Sequence, residues 1–362
     1  MAALPVAFRG ERMVNRGGRL ISATVPRPGC GKVTPMVITC VCSVTRHRSR
    51  GRGYGTAMIL VGTSGWQYKD WRGRFYPTDV PQRRWLEHYA TQFATVEINN
   101  AFYRLPERDT FAQWRARTVL DTTADDATAD DATATDGTTN DDSFCFAVKM
   151  SRYLTHIKRL RDPAEPVSRF LGRAEALGDR LGPVLLQLPP NLMADADLLD
   201  DTLKRFPANV RVAVEPRHRS WWTTDIRQVL ERRHAALSWA DRRGRPVTPL
   251  WRTAEWGYLR MHEGTARPRP SYGRAALASW LDRATDAFAP MTDHDVSVYF
   301  NNDHGGAAVR DAAAFGRLAA RRGLSVSRYP QAAAVLADPV DPPEQVDSPD
   351  QMNSARTRSA GA

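Results

Sequence analysis

Cysteine is scarce in this chain. The four present, Cys30, Cys40, Cys42 and Cys145, show neither a metal-ligand spacing nor a disulfide framework, so a reducing, cytoplasmic setting is expected. Long apolar runs are also missing. The stretch Val33 to Val44 falls short of the roughly 20 residues that span a bilayer. It stands late for a signal peptide and has no small-residue cleavage site behind it, so no membrane partner is expected. No glycine-rich dinucleotide fingerprint or flavin motif occurs, which disfavours those cofactors. What is present is ordinary for a globular protein, at 42% hydrophobic and 25% charged residues.

Charge is unevenly placed. Residues 1–57 hold ten Lys and Arg against one Glu, while residues 338–362 hold five acids against two Arg. Residues 121–142 carry eight Asp and no base. The body between the ends is otherwise strongly basic, which suits an anionic partner: a phosphorylated metabolite or a nucleic acid. An Arg- and Ala-rich composition produces the same basic surface with no partner, and both readings stand.

Three segments read as lying outside the folded body. Residues 1–57 mix Gly, Pro, Arg and Ser and are expected to be a disordered basic extension, or sequence upstream of a start at Met58. Residues 121–142, mostly Asp, Ala and Thr, have too little bulky apolar content to pack. The tail 338–362 is linker-like. The expected body is a single domain over residues 58–337.

Within it, strand-like and helix-like runs alternate, the signature of βα units around a parallel sheet. Strands are predicted at Ile59–Ser64, Thr95–Asn100, Phe144–Lys149, Val184–Leu188, Val210–Glu215, Ala235–Asp241, Tyr258–His262 and Val296–Asn301. Amphipathic stretches follow at Gln82–Phe93, Asp109–Val119, Pro163–Leu181, Leu198–Phe206, Thr223–Arg233, Tyr272–Phe288 and Gly306–Arg321. The crossover Arg242–Gly257 is the weakest, with Pro246, Pro249 and little periodicity. Eight strands and seven helices point to an α/β fold of the TIM-type (β/α)8 barrel class.

Side chains alternate along a strand. Applied to Tyr258–His262, this puts Leu259 and Met261 on one face and Tyr258, Arg260 and His262 on the other. A buried parallel strand is normally apolar throughout, so a cation and an imidazole on one face mark a polar lumen. The same rule turns Glu97 and Asn99, Lys149, Gln187, Glu215, Tyr299 and Asn301 inward, with Ser64 and Asp241 closing their strands. Polar residues thus gather at the C-terminal strand ends, the rim that carries active sites in this architecture. A hydrogen-bonded lumen with no ligand is the competing reading.

Glu215, Lys149 and His262 are the acid/base candidates. Lys149 could be a Schiff-base amine or a counter-ion to Glu215 or Glu97. Arg260 and Arg217 offer the paired donors that suit phosphate or carboxylate, although Arg217 could equally serve a loop. Gly305 and Gly306 open a helix and leave backbone N–H groups for an anion, or form a plain turn. Glu97, Glu215, Asp241, His262 and His304 could assemble a divalent metal site, without support from spacing.

The segments VGTSGWQYKDWRGRFYP (61–77), TVEINNAFYRLP (95–106), AVEPRHRSWW (213–222), YLRMHEG (258–264) and VYFNNDHGG (298–306) resemble domain-of-unknown-function family 72, the YecE-like proteins. The resemblance covers roughly residues 59–336. It implies a TIM-barrel-like fold and no established reaction. The insertion at 121–142 and the 57-residue extension depart from it. Trp66, Tyr68 and Trp71 follow the first strand in these motifs, placed to stack on a sugar or base or to pack a lid.

The expected function is acid/base catalysis on a small anionic, phosphorylated substrate: an isomerase, lyase or hydrolase. Glu215 would be the base, Lys149 or His262 the acid or electrostatic stabiliser, and Arg260, Arg217 and Gly305–Gly306 the anion clamp. Ser64, Trp66, Tyr68, Glu97, Asn99, Gln187, Asp241 and Asn301 would complete the binding surface. The alternative is a nucleic-acid-binding or nucleic-acid-processing barrel.

Overall fold

The computed structural model describes residues 58–119, 144–268, 270–289 and 295–331. The extension 1–57, the insertion 121–142 and the tail 338–362 lie outside them. The described chain is a mixed α/β fold built on a curled, mostly parallel sheet of ten strands. They are β1 (Ile59–Ser64), β2 (Thr95–Ile98), β3 (Cys145–Lys149), β4 (Leu181–Gln187), β5 (Val212–Glu215), β6 (Ala236–Leu237), β7 (Trp239–Arg242), β8 (Arg245–Pro246), β9 (Gly257–Met261) and β10 (Val296–Phe300). The spatial order is β6-β5-β4-β3-β2-β1-β10-β9-β7-β8.

Two departures from the expected eight strands have local causes. The sixth strand is divided at Ser238. Its first part pairs with β5 (Ala213 opposite Ala236) and its second with β9 (Trp239 opposite Leu259). The weak crossover contains no helix. Instead, Arg243 and Gly244 turn at φ 53° and 70°, and β8 folds back antiparallel on β7. Pro246 and Pro249 remove the backbone donors that a helix there would need.

Helices pack outside the sheet: α1 (Trp85–Gln92), α2 (Asn100–Tyr103), α3 (Arg108–Arg117), α4 (Ala164–Ala174), α5 (Ala196–Leu203), α6 (Thr224–Arg232), α7 (Arg274–Ala287) and α8 (Ala307–Arg321). Their starts follow capping chemistry where a suitable residue exists. Asp195 accepts the Leu198 N–H at 3.0 Å to open α5, and Thr223 accepts that of Ile226 at 3.4 Å to open α6, satisfying donors a helix start leaves unpaired. On α4, Pro166, Val167, Phe170 and Ala174 make the buried stripe, the spacing expected of one face of a 3.6-residue helix.

The strands separate two apolar populations. Val61, Val96, Ile98, Phe146, Val148, Val214, Leu259, Met261, Val298 and Phe300 join the large cluster under the helices. Ala147, Leu185, Ala213, Ala236, Trp256, Tyr258 and Tyr299 form a second cluster on the other face. Small alanines on β3, β5 and β6 leave room for Tyr258 and Tyr299, whose rings lie 5.2 Å apart. These side chains form a floor beneath the polar strand ends. Among the described residues no helix is long and apolar enough to cross a membrane.

Candidate functional site

Strand register assembles the polar end. Ser64 on β1 stands opposite Glu97 on β2, and Gln187 on β4 opposite Glu215 on β5. Neighbours at one level of a parallel sheet point the same way, so each pair meets. Ser64 Oγ donates to Glu97 Oε1, and Gln187 Nε2 donates to Glu215 Oε2 at 3.1 Å. Asn99 Nδ2 adds a 2.8 Å bond to Ser64 Oγ.

Arg260 on β9 joins the two pairs. Its Nε and one terminal nitrogen bind Glu97 at 2.9 and 2.7 Å, and the other terminal nitrogen reaches Glu215 Oε2 at 2.6 Å. Tyr258 donates to Glu97 Oε2 at 2.6 Å, and Arg217 Nε to Glu215 Oε1 at 3.0 Å. Burial would raise both carboxyls, but the Arg260 charge and the surrounding donors hold Glu97 below the ordinary range and Glu215 well below it. Two carboxylates against two guanidiniums leave this set electrically neutral.

That arrangement corrects two expectations. Arg260 is 1% exposed and cannot reach a ligand in the mouth, so it is the buried counter-ion rather than part of an anion clamp. Glu215 has both oxygens engaged and its proton affinity suppressed, which makes it a poor general base.

Lys149 is not the counter-ion either. Its Nζ forms no ion pair or hydrogen bond among the described residues and lies 4.1 Å above the centre of the Phe102 ring, a cation–π position. Burial, followed by the nearby Arg260 charge, lowers its pKa to about 8. His156 packs edge-on against the same ring at 4.8 Å. Burial and the charges of Lys149, Arg217, Arg152 and Arg159 push its pKa down to about 4, so the imidazole is neutral at physiological pH.

Across the mouth, Asn301 Nδ2 donates to His262 Nδ1 at 2.9 Å, which leaves the ring proton on Nε2. That atom lies 3.4 Å from Glu215 Oε1 but makes no hydrogen bond. The His262 backbone N–H is tied to Asp241 Oδ1 at 2.7 Å, and Tyr272 donates to the same carboxylate. Asp241 therefore positions His262 from behind rather than facing the mouth.

The segment after β1 serves the fold more than the site. Trp66, expected to stack on a ligand, is 4% exposed and packed edge-on to Trp114 at 5.4 Å. Trp71 is fully buried, and its Nε1 donates to Asp303 at 2.6 Å. Tyr68 is half-buried, its hydroxyl bonded to the Ser64 carbonyl at 2.5 Å. Gly305 and Gly306 do open α8, with φ of 64° and 75°, a conformation that favours glycine. The anion at this turn belongs to the protein itself, because Asp70 accepts the Gly305 N–H at 2.9 Å.

His304 is exposed, and among the described residues no three His, Cys, Asp or Glu side chains are grouped to hold a metal. A cavity of about 410 Å³ lies at the opposite end of the strands, against Val212, His234 and Trp256.

The motifs that build this network match a known family profile. The family described as "Protein of unknown function DUF72" matches residues 60–121 and 133–334. The chain belongs to the DUF72 family. A curated relative, the UPF0759 protein YecE of Escherichia coli strain K12, is 30% identical over 162 residues, 44% of this chain and 49% of that protein. The same protein of Escherichia coli O157:H7 matches equally, so the chain spans about half the length of these curated relatives. Two solved DUF72 structures share the fold. One, from Thermotoga maritima, has a TM-score of 0.57 at 24% identity, covering 72% of this chain and 98% of that one. The other, from Enterococcus faecalis, has a TM-score of 0.53 at 18% identity, covering 72% and 97%.

The sequence alone gave no sign of His156, Arg152 or Arg159 in this DUF72 chain. They sit in a loop and short π-helix, Tyr153–Ile157, where no periodicity marks which side chain faces the mouth.

Proposed function

We propose that this protein is an enzyme performing acid/base chemistry on a small anionic substrate, with phosphorylated sugars as the favoured class, at the C-terminal end of a closed (β/α)8 barrel. Closure is supported by the stretch 236–242, whose two parts hydrogen-bond to opposite ends of the sheet order.

One observation carries the functional reading. Arg260 and Arg217 balance Glu97 and Glu215, so among the described residues Lys149, Arg152 and Arg159 stand without a carboxylate partner around a neutral His156. Excess positive charge around partly buried side chains favours an anion. Arg159 is already oriented, through Asn191, by bonds of 3.1 and 2.7 Å. Lys149, which titrates near 8, can give or take a proton close to neutral pH. His262, held by Asn301 and Asp241, is the second proton carrier. Glu215 holds Arg217 instead of serving as the base.

Calorimetric titration of the full chain with inorganic phosphate and pyrophosphate tests this reading. Binding should occur at low salt and weaken strongly in an Arg152→Ala/Arg159→Ala variant. Equal binding by the variant, or none by the wild type, would contradict it. A second reading, single-stranded nucleic acid, is favoured by the rings of Tyr103 and Tyr153, 74% and 44% exposed, with Lys158 over the Tyr153 ring. Stacking on those rings with phosphate contacts would give an affinity that falls steeply with salt.

A further inference from the structure

We propose that Lys149 is a nucleophile that forms an imine with the carbonyl carbon of an anionic aldehyde or ketone. This rests on the anion-site reading above and extends it to a covalent step.

The chain's choice of cation is the first support. It contains five lysines, Lys32, Lys69, Lys149, Lys158 and Lys204, against 46 arginines. Wherever a fixed positive charge suffices, this protein uses Arg almost without exception. Among the described lysines, Lys69 is exposed, and Lys158 and Lys204 pair with Asp162 and Asp201. Lys149 alone among them is buried, at the end of β3. A guanidinium there would supply charge but no usable lone pair, because it does not deprotonate in proteins. An amine does both.

Geometry is the second. The two carboxylates closest in charge to Lys149, Glu97 and Glu215, are already committed to Arg260, so neither captures the ammonium. Among the described side chains the partnerless polar atoms sealed from solvent are Asn99 Oδ1, Ser238 Oγ, His262 Nε2, Trp280 Nε1 and Asn302 Oδ1. Lys149 Nζ is not among them, so its residual 8% exposure includes the reactive atom. Phe102 covers one side of Nζ at 4.1 Å. With a pKa near 8, roughly a quarter of the side chain is free amine at pH 7.5, against about one part in a thousand for an ordinary lysine. The charged and titratable groups acting on it are Arg260, Glu97, Glu215 and Arg217, with His156 alongside.

The step balances without a co-reactant. The Nζ lone pair attacks the carbonyl carbon, a C–N bond forms, and the C=O π pair moves to oxygen, which takes a proton. Nitrogen sheds one proton to solvent, giving the carbinolamine. A second proton on the hydroxyl lets it leave as water while the nitrogen lone pair forms C=N. The net change is amine plus carbonyl plus one proton to iminium plus water, and Arg152 and Arg159 would hold the substrate's anionic group beside the amine.

The experiment treats the full chain with glycolaldehyde phosphate and, separately, with uncharged glycolaldehyde, under borohydride. Adducts are located by peptide mass spectrometry, and phosphate binding is measured in parallel. The phosphorylated probe should modify Lys149 about tenfold or more above Lys69, Lys158 and Lys204, because burial favours its free amine, and the uncharged probe should label it far less. Lys149→Arg should abolish that adduct while phosphate still binds. An adduct spread evenly over the lysines, or none at Lys149 while phosphate binds, would overturn the imine and leave the anion site standing. Absence of both adduct and phosphate binding would overturn the two together.

Discussion

Arg260 and Glu97 form a two-pronged ion pair, Nε to Oε2 at 2.9 Å and a terminal nitrogen to Oε1 at 2.7 Å, with both side chains at most 1% exposed. A charge pair this deep holds its place only if each partner keeps the other, because one unpaired buried ion is costly. Arg260→Met should therefore destabilise the protein by about 3–5 kcal/mol, read from urea unfolding at neutral pH. A loss below about 1 kcal/mol, the range of exposed pairs, would show that the network contributes little.

The same pair sets an acid limit. Glu97 and Glu215 are held below their ordinary value of 4.5, so the unfolded chain takes up these protons first as pH falls. Their contribution is full above about pH 4.5 and is lost as pH drops through the depressed folded values. Urea midpoints measured from about pH 6 to about pH 3 should fall steeply. Midpoints that stay level would contradict the charged assignment of both carboxylates.

Much of this site was legible because a strand alternates. The rule that turned Tyr258, Arg260 and His262 to one face also placed Glu97, Lys149, Gln187 and Glu215, and the division between the two apolar clusters follows it residue by residue. Pairing was not legible. Which carboxylate Arg260 would take, and that it would leave Lys149 unpaired, depends on cross-strand register and side-chain reach. Trp66 looked available because it follows a strand end; Trp114, on a helix 48 residues on, closes over it. His156 lay in a loop where position says nothing about direction. Prolines in the sixth crossover did foretell the missing helix, but not the hairpin that replaced it.

Lys149 costs stability where it stands. Its folded value near 8 lies below the ordinary 10.5, so between these values the unfolded chain holds more protons and stability rises with pH. Below about 8 that penalty is present in full. Lys149→Met should raise the unfolding midpoint at pH 7 and flatten the rise between about pH 8 and about pH 10.5. A variant less stable than wild type at pH 7 would mean that the ammonium is well solvated or paired.

Tyr272 supports His262 through Asp241, which accepts the Tyr272 hydroxyl at 2.7 and 2.6 Å. Burial raises the Asp241 carboxyl, and that hydroxyl is among the donors that offset it. Tyr272→Phe should cost about 1.5–3 kcal/mol, the usual range for a hydrogen bond to a charged group. It should also broaden or shift the His262 ring signals in proton NMR. A loss of stability with unchanged His262 signals would make Tyr272 a packing residue only.

The neutral set of two arginines and two glutamates leaves Lys149 without an ion-pair partner among the described residues. Its titration tests this most directly. With isotopically labelled lysine, the Lys149 ammonium signal can be assigned by its loss in Lys149→Met and followed against pH by NMR. The account predicts a midpoint near 8, moving upward when inorganic phosphate is added, since a bound anion favours the ammonium. A midpoint at the ordinary 10.5, unmoved by phosphate, would contradict it.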